Sequence, residues 1–140
     1  MSPAPDTIPT TEARSRVKPD GPRTGYVDGA WWPRSDDLST ELSALLTGLS
    51  SRTGPVARVA YHLDDWGRAP RRLPRGQVRL EGFRTTAPHT VTLVGPAGMR
   101  LVLLVIPPST TDAAAEQAMT AAVDPADRHS PADLLAGAAR

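Results

Sequence analysis

All three tryptophans and both tyrosines of this 140-residue chain fall between Tyr26 and Trp66. Asp28, Arg34, Asp64 and Asp65 stand among them. Indole faces beside carboxylates and a guanidinium are the mix expected of a groove that holds a small ligand or a protein segment: the rings supply apolar area and the charges fix orientation. Asp28, Trp31, Trp32, Arg34, Asp65 and Trp66 are the candidate ligand-binding residues, provided that the rings and acids meet at one water-accessible hollow. The competing reading is structural. Trp31 and Trp32 are adjacent and would straddle a strand, one ring filling the core and the other packing under a loop, because large aromatics are usually buried.

A second chemistry is acid–base catalysis, with His62 or His89 as base and Asp65 orienting it. No serine sits in a Gly-x-Ser-x-Gly turn, so no nucleophile accompanies these histidines, and both positions also suit ordinary structural histidines. Metal binding finds no support: His62, His89 and His129 are 27 and 40 residues apart, without the short spacings of ligand pairs. Zero cysteines remove disulfides, thiolate nucleophiles and Cys-containing metal sites. No cofactor signature is present. Gly95-Pro96-Ala97-Gly98 is too short for a phosphate loop and reads as a hairpin turn.

Charge is unevenly placed. The net value is +1, yet residues 68–84 hold Arg68, Arg71, Arg72, Arg75, Arg79 and Arg84 against Glu81 alone. A loop carrying Arg68, Arg71, Arg72 and Arg75 is a candidate anion-binding site, and with Trp66 and Phe83 available for stacking it is also a nucleic-acid alternative. The near-neutral total and the lack of further basic residues in sequence around the loop argue against a nucleic-acid footprint and for a solvated hairpin.

The elements that would position these groups follow from hydrophobic period. Residues 1–23 mix Pro, Thr, Ser and charges without an apolar period and read as a disordered tail. Thr24–Trp32 alternates as a strand, and Pro33 ends it. Ser35, Asp36 and Asp37 then offer a cap and first-turn acids to a helix whose Leu38, Leu42, Leu45, Leu46 and Leu49 line one face, closed by Gly54-Pro55. Val56–Leu63, Val78–Glu81, Val91–Val94 and Met99–Ile106 read as further strands, the last apolar on both sides and therefore central. After Pro107-Pro108, Asp112–Val123 and a stretch opened by Ser130-x-x-Asp133 are Ala-rich helices. The expected fold is α+β: an antiparallel sheet of about five strands packed by one amphipathic helix, compatible with a half-open barrel. The domain spans residues 24–108, followed by an Ala-rich helical extension over 109–140. The longest apolar run, Leu101–Ile106, is far short of the ~18 residues that span a bilayer, and the first twenty residues hold no export-type apolar stretch. A soluble chain in a reducing, cytoplasmic compartment is expected, with no membrane partner.

GYVDGAWWPRSDDL (Gly25–Leu38) resembles a family of small actinobacterial proteins classed only as a domain of unknown function. VARVAYHLDDWGRAPRRL (Val56–Leu73), VRLEGFRTTAPHTVTLVG (Val78–Gly95) and RLVLLVIPP (Arg100–Pro108) are similar to that family's later blocks. The resemblance covers roughly residues 17–123 and implies no catalytic residue, cofactor or substrate. On the residues alone, a non-catalytic ligand- or protein-binding module is the leading expectation. A small enzyme with a His/Asp site and nucleic-acid binding through the Arg-rich loop are the alternatives.

Overall fold

The computed structural model describes residues 14–18, 26–67, 69–73, 78–85, 88–96, 98–124, 131 and 134–135. Their elements follow the order β1 (Arg14–Val17), β2 (Gly29–Trp32), α1 (Leu38–Thr53), β3 (Arg58–His62), β4 (Arg79–Phe83), β5 (Thr90–Val94), β6 (Arg100–Val105) and α2 (Asp112–Ala122), with a 3-10 turn at Leu63–Asp65. The strands form one sheet in the order β1-β2-β6-β5-β3-β4. The fold is α+β, but the sheet differs from the expected one: it has six strands, is mixed, and is not closed into a barrel. β2 runs parallel to β6, and β3 parallel to β4. Alternating side-chain patterns fix which face a residue occupies and say nothing of strand direction, which depends on the connections. Here the α1 crossover carries the chain from β2 to β3, and β3 then lies parallel with β2.

β1 is a second correction. Residues 14–17 belong to the stretch expected to be a disordered tail, yet they pair antiparallel with β2, Arg14 opposite Trp32 and Val17 opposite Gly29. RSRV has no apolar alternation, so its pairing is driven from outside the strand. The Arg14 guanidinium lies 3.7 Å over the Trp32 ring and donates to the carbonyls of Trp32 at 3.0 Å and Pro33 at 3.1 Å. A cation on an aromatic face with two charge-assisted hydrogen bonds is enough to seat a short edge strand. Burial holds the Arg14 pKa below its ordinary value, with Arg34 adding repulsion.

Both faces of the sheet are covered by helix. On one, Leu38, Leu42, Leu45 and Leu49 of α1 pack with Trp31, Val59, Tyr61, Val91, Leu93, Leu101, Leu103 and Val105, so the leucine spacing does what its period implies. α1 opens with Thr40 Oγ1 donating to Asp37 Oδ2 at 2.9 Å, while Glu41 reaches back to accept from the Arg34 N–H at 2.8 Å and the Ser35 hydroxyl at 2.9 Å. This reciprocal use of acids satisfies groups at the helix start. Gly54, at φ 68°, follows its end, as a left-handed stop does.

On the other face Ala115, Ala118, Met119 and Ala122 of α2 pack on Ala30, Trp32, Leu104 and Ile106. The small alanines let the helix approach closely, and the Trp32 ring supplies the area they lack. α2 is capped by Thr111, whose hydroxyl accepts from the Ala114 N–H at 3.2 Å. Pro131, Leu134 and Leu135 have helical backbone, and Leu134 joins this second core. The expected Ser130-x-x-Asp133 cap lies outside the described residues. No helix among them is long and apolar enough to cross a membrane.

Two glycines separate close approach from helix weakening. A Cβ on Gly29 would sit 2.1 Å from the Arg16 carbonyl oxygen and 2.8 Å from Val17 Cα. Gly29→Ala is therefore expected to cost about 1–3 kcal/mol and to release β1, read as faster amide exchange at residues 14–17. Gly48, exposed in the middle of α1 with nothing within 4 Å of a built Cβ, should gain about 0.5–1 kcal/mol on substitution by Ala, read as a raised Tm. A third outcome concerns pH. Arg16 on β1 pairs with Glu116 on α2, and the hydrogen bond from Arg16 holds the Glu116 carboxyl below its ordinary value. With the folded value depressed, the tie is fully present above the unfolded pKa and is lost as pH falls through the folded one. Protection of α2 amides should decline across that acid window, and Glu116→Gln should make the profile flat there.

Candidate functional site

β5 is antiparallel to both neighbours, so β2, β3, β4 and β6 all point one way. The carboxyl ends of β2, β3 and β6 converge on a cleft of about 180 Å³ lined by Pro33, Ser35, Asp64, Asp65, Trp66, His89, Val105, Pro107 and Pro108. Pro33 and Ser35 follow β2, the Asp64–Trp66 stretch follows β3, and the two prolines follow β6; only His89 enters from the start of a strand. A crevice outside the carboxyl ends of parallel strands is where open α/β sheets place their ligands. The prolines are there for a local reason as well: each stops a strand whose ladder it cannot continue.

The polar centre is Asp65 with His89. Asp65 is held on the 3-10 turn, its side chain only 9% exposed. Its Oδ2 accepts the His89 backbone N–H at 2.6 Å, and its Oδ1 lies 3.6 Å from His89 Nδ1. The second separation is longer than a hydrogen bond, a close electrostatic contact that would orient the ring once it tightens. His89 has φ 62°, a left-handed conformation that costs a side-chain-bearing residue about 1–2 kcal/mol. Pro88 before it is the usual partner of a positive-φ turn residue, but glycine or asparagine normally takes the second place. The histidine's carbonyl also accepts from Val105 N–H at 2.7 Å, so its backbone is pinned from both sides. One turn serves two histidines: Asp64, largely exposed at the cleft, lies 3.4 Å from Nε2 of the buried His62.

Trp66 forms the inner wall. Its ring stacks on Trp31 with centroids 5.2 Å apart and planes at 29°, and its Nε1 is buried without a hydrogen-bond partner among the described residues. A buried indole N–H normally finds an acceptor, so this wall carries an unmet donor.

The sequence-derived candidates separate accordingly. Asp65 and Trp66 meet at the cleft. Trp31 and Trp32, 1% and 7% exposed, straddle β2 into opposite cores, which corrects the expectation of a three-indole surface: consecutive strand residues cannot share a face. Asp28 lies at the other end of β2, where its carboxylate accepts the Val102 N–H at 2.8 Å. Arg34 is exposed beside the α1 cap rather than in the cleft lining. Arg71 and Arg72 border a separate shallow groove with Tyr61, Arg79 and Glu81, where burial pushes the Tyr61 hydroxyl pKa up. Arg68 and Arg75 lie outside the described residues. The proline frame escaped the sequence reading, although Pro33 and Pro107 each directly follow a strand pattern and so marked a strand end facing one side. Among the described residues no group of three or more His, Cys, Asp and Glu side chains could hold a metal ion.

No curated protein and no solved structure matches the chain. The profile of a family of unknown function, DUF5994, matches residues 14–122, from the first residue of β1 to the last of α2, so the matched unit is the whole sheet with both its covering helices, and the chain belongs to that family.

Proposed function

We propose that this protein is a binding module that takes a small polar molecule, or a side chain of a protein segment, in the proline-walled cleft with Asp65, Trp66 and His89 as its anchors. The observation that carries this reading is His89: a non-glycine residue kept left-handed by a buried carboxylate that accepts its N–H. Backbone strain of that kind persists where the surroundings impose it, and it clusters at ligand sites. The cleft volume of about 180 Å³ is below the ~300–1,000 Å³ of sites for drug-sized ligands. It suits a fragment with hydrogen-bond donors for the Asp64 carboxylate and the outer ring nitrogen of His89, and an apolar edge for Pro33, Pro107 and Pro108. A nucleotide cofactor is too large.

A second reading is proton transfer, favoured by one specific geometry: Nδ1 of His89 faces Asp65, which leaves Nε2 directed away from that carboxylate as an acceptor. In that case the same cleft holds a substrate whose proton His89 removes, with Asp65 as the positioning residue.

Screening small amines, amides and amino acids by NMR should give ligands that shift the His89 ring and Trp66 indole signals. Asp65→Asn should abolish both shifts, and His89→Ala that of the Trp66 indole, without unfolding the chain. His89→Gly is the sharper variant: it relieves the left-handed conformation, so Tm should rise by the equivalent of up to about 1 kcal/mol while binding is lost. A screen in which no compound moves either signal, or a His89→Gly protein that binds as well as the parent, discards the binding reading. Turnover of a bound compound that disappears in His89→Ala favours proton transfer over binding alone.

A further inference from the structure

The register of the sheet places arginines from four separate segments in a single row. Arg58 on β3 is paired with Arg79 on β4, and Arg79 is bridged antiparallel to Arg72. On the other side Arg58 is paired with Val94, and Val94 with Arg100 on β6. The row therefore runs Arg72, Arg79, Arg58, Val94, Arg100. Paired residues point to the same side of a sheet, and the side is fixed by their neighbours: Val59, Leu73, Leu80 and Leu101 all belong to the α1 core, so the arginines face away from it. All four are exposed. This is the face that α2 covers over β1 and β2.

Such a row is unfavourable by itself. Like charges directly opposite one another destabilise a sheet, and the Arg72–Arg79 pair is of the non-hydrogen-bonded type, with Leu73 N donating to Val78 O and Leu80 N to Arg71 O, which brings side chains closest. Glu81 lies 3.9 Å from Arg58, and Arg72 and Arg100 have interactions of their own, so part of this repulsion is offset. Four strand steps of about 4.8 Å make the row roughly 19 Å long, more than one phosphate group can span. The same face carries Phe83, 41% exposed, on β4 beyond Glu81. A line of guanidiniums followed by an open aromatic ring suits a polymer that has both anionic groups at intervals and flat faces to stack, and an unpaired strand is what leaves those faces free.

We infer that this face binds single-stranded nucleic acid, with Arg58, Arg72, Arg79 and Arg100 on its phosphates and Phe83 against a base. The site is distinct from the proline-walled cleft: the row lies at the amino ends of β3, β4 and β6, and Phe83, at the carboxyl end of β4, does not line the cleft. It shares only Arg72 with the loop of Arg68, Arg71, Arg72 and Arg75 singled out in the sequence. Arg58 and Arg100, 42 residues apart, join it only through strand pairing.

The test is fluorescence anisotropy of a labelled oligouridine of about 12 nucleotides, titrated with the full chain at several salt concentrations. Binding should weaken with salt at a log–log slope of roughly −2.8, from four phosphate contacts at ~0.7 each. Arg58→Gln with Arg100→Gln should cut that slope by roughly 1.4 and weaken binding about tenfold, and Phe83→Ala should weaken it with the slope unchanged. Arg34→Gln, the loss of one charge on an exposed residue outside the row, should leave affinity unchanged, whereas Arg58→Gln alone should weaken it. Arg79→Thr should raise Tm while lowering affinity, which a purely structural arginine would not do. Absence of binding at low salt overturns the inference, as does equal weakening by Arg34→Gln. Retention of a labelled polyglutamate peptide in preference to the oligonucleotide assigns the row to an acidic protein and overturns it as well.

Discussion

Two adjacent tryptophans on one four-residue strand set the constraint on which the rest of the molecule depends. Every residue of β2 is buried, and because neighbouring strand residues face opposite ways, Trp31 and Trp32 each require a separate apolar layer. Each ring buries about 150–250 Å², or roughly 4–6 kcal/mol of gross transfer free energy at ~25 cal/mol/Å², so neither layer can be dispensed with. α1 answers Trp31 with four leucines. α2 answers Trp32 with alanines and a methionine, and Trp32 Nε1 donates to the Pro107 carbonyl at 3.2 Å. The strand that must be covered on both faces also needs a neighbour on each edge, which it finds in β1 and in β6.

That dependence explains what could be read in the residues and what could not. The leucine period of α1 and the alternation of β3 and β6 are local signals, set by which side of a helix or strand meets the core, and they appear in the structure close to where the spacing puts them. β1 carries no such signal. Arg-Ser-Arg-Val becomes a strand because Trp32 offers its ring face and its carbonyl to Arg14, a partner eighteen residues away, and Pro33 offers a second carbonyl. Strand direction was equally hidden, since the parallel pairing of β2 with β6 joins segments some seventy residues apart through connections that no short window contains. The straddling of β2 by its two tryptophans, by contrast, follows from adjacency alone.

The candidate cleft was half legible. Asp65, Trp66 and His89 stood out by residue type, but their meeting depends on β3 and β5 being paired neighbours, so that the turn after one strand faces the turn before the other. The sequence also suggested an open three-indole hollow, and the same core demand that buries Trp31 prevents it; Trp66 reaches the cleft wall only because it is the outer member of the stack. What marks the cleft physically is a local conflict: a histidine where glycine belongs, held by a buried carboxylate.

Conflicts of that kind are unevenly distributed over this fold. Caps, turns and apolar faces agree with one another along α1, α2 and the β5–β6 hairpin, where Gly98 at φ 92° takes the left-handed position without cost. The disagreements fall at the two ends of the strands: left-handed His89 and a Trp66 Nε1 without a partner among the described residues at the carboxyl ends, and arginines opposed across β3, β4 and residue 72 at the amino ends. A sequence under selection for stability alone would replace the histidine by glycine and alternate the charges, since each change relieves a local penalty and disturbs no core contact. Consistency across the remaining levels shows that the chain is capable of such agreement. The two proposed sites therefore coincide with the places where local preference and fold part company, the left-handed histidine at one end of the strands and the opposed arginines at the other.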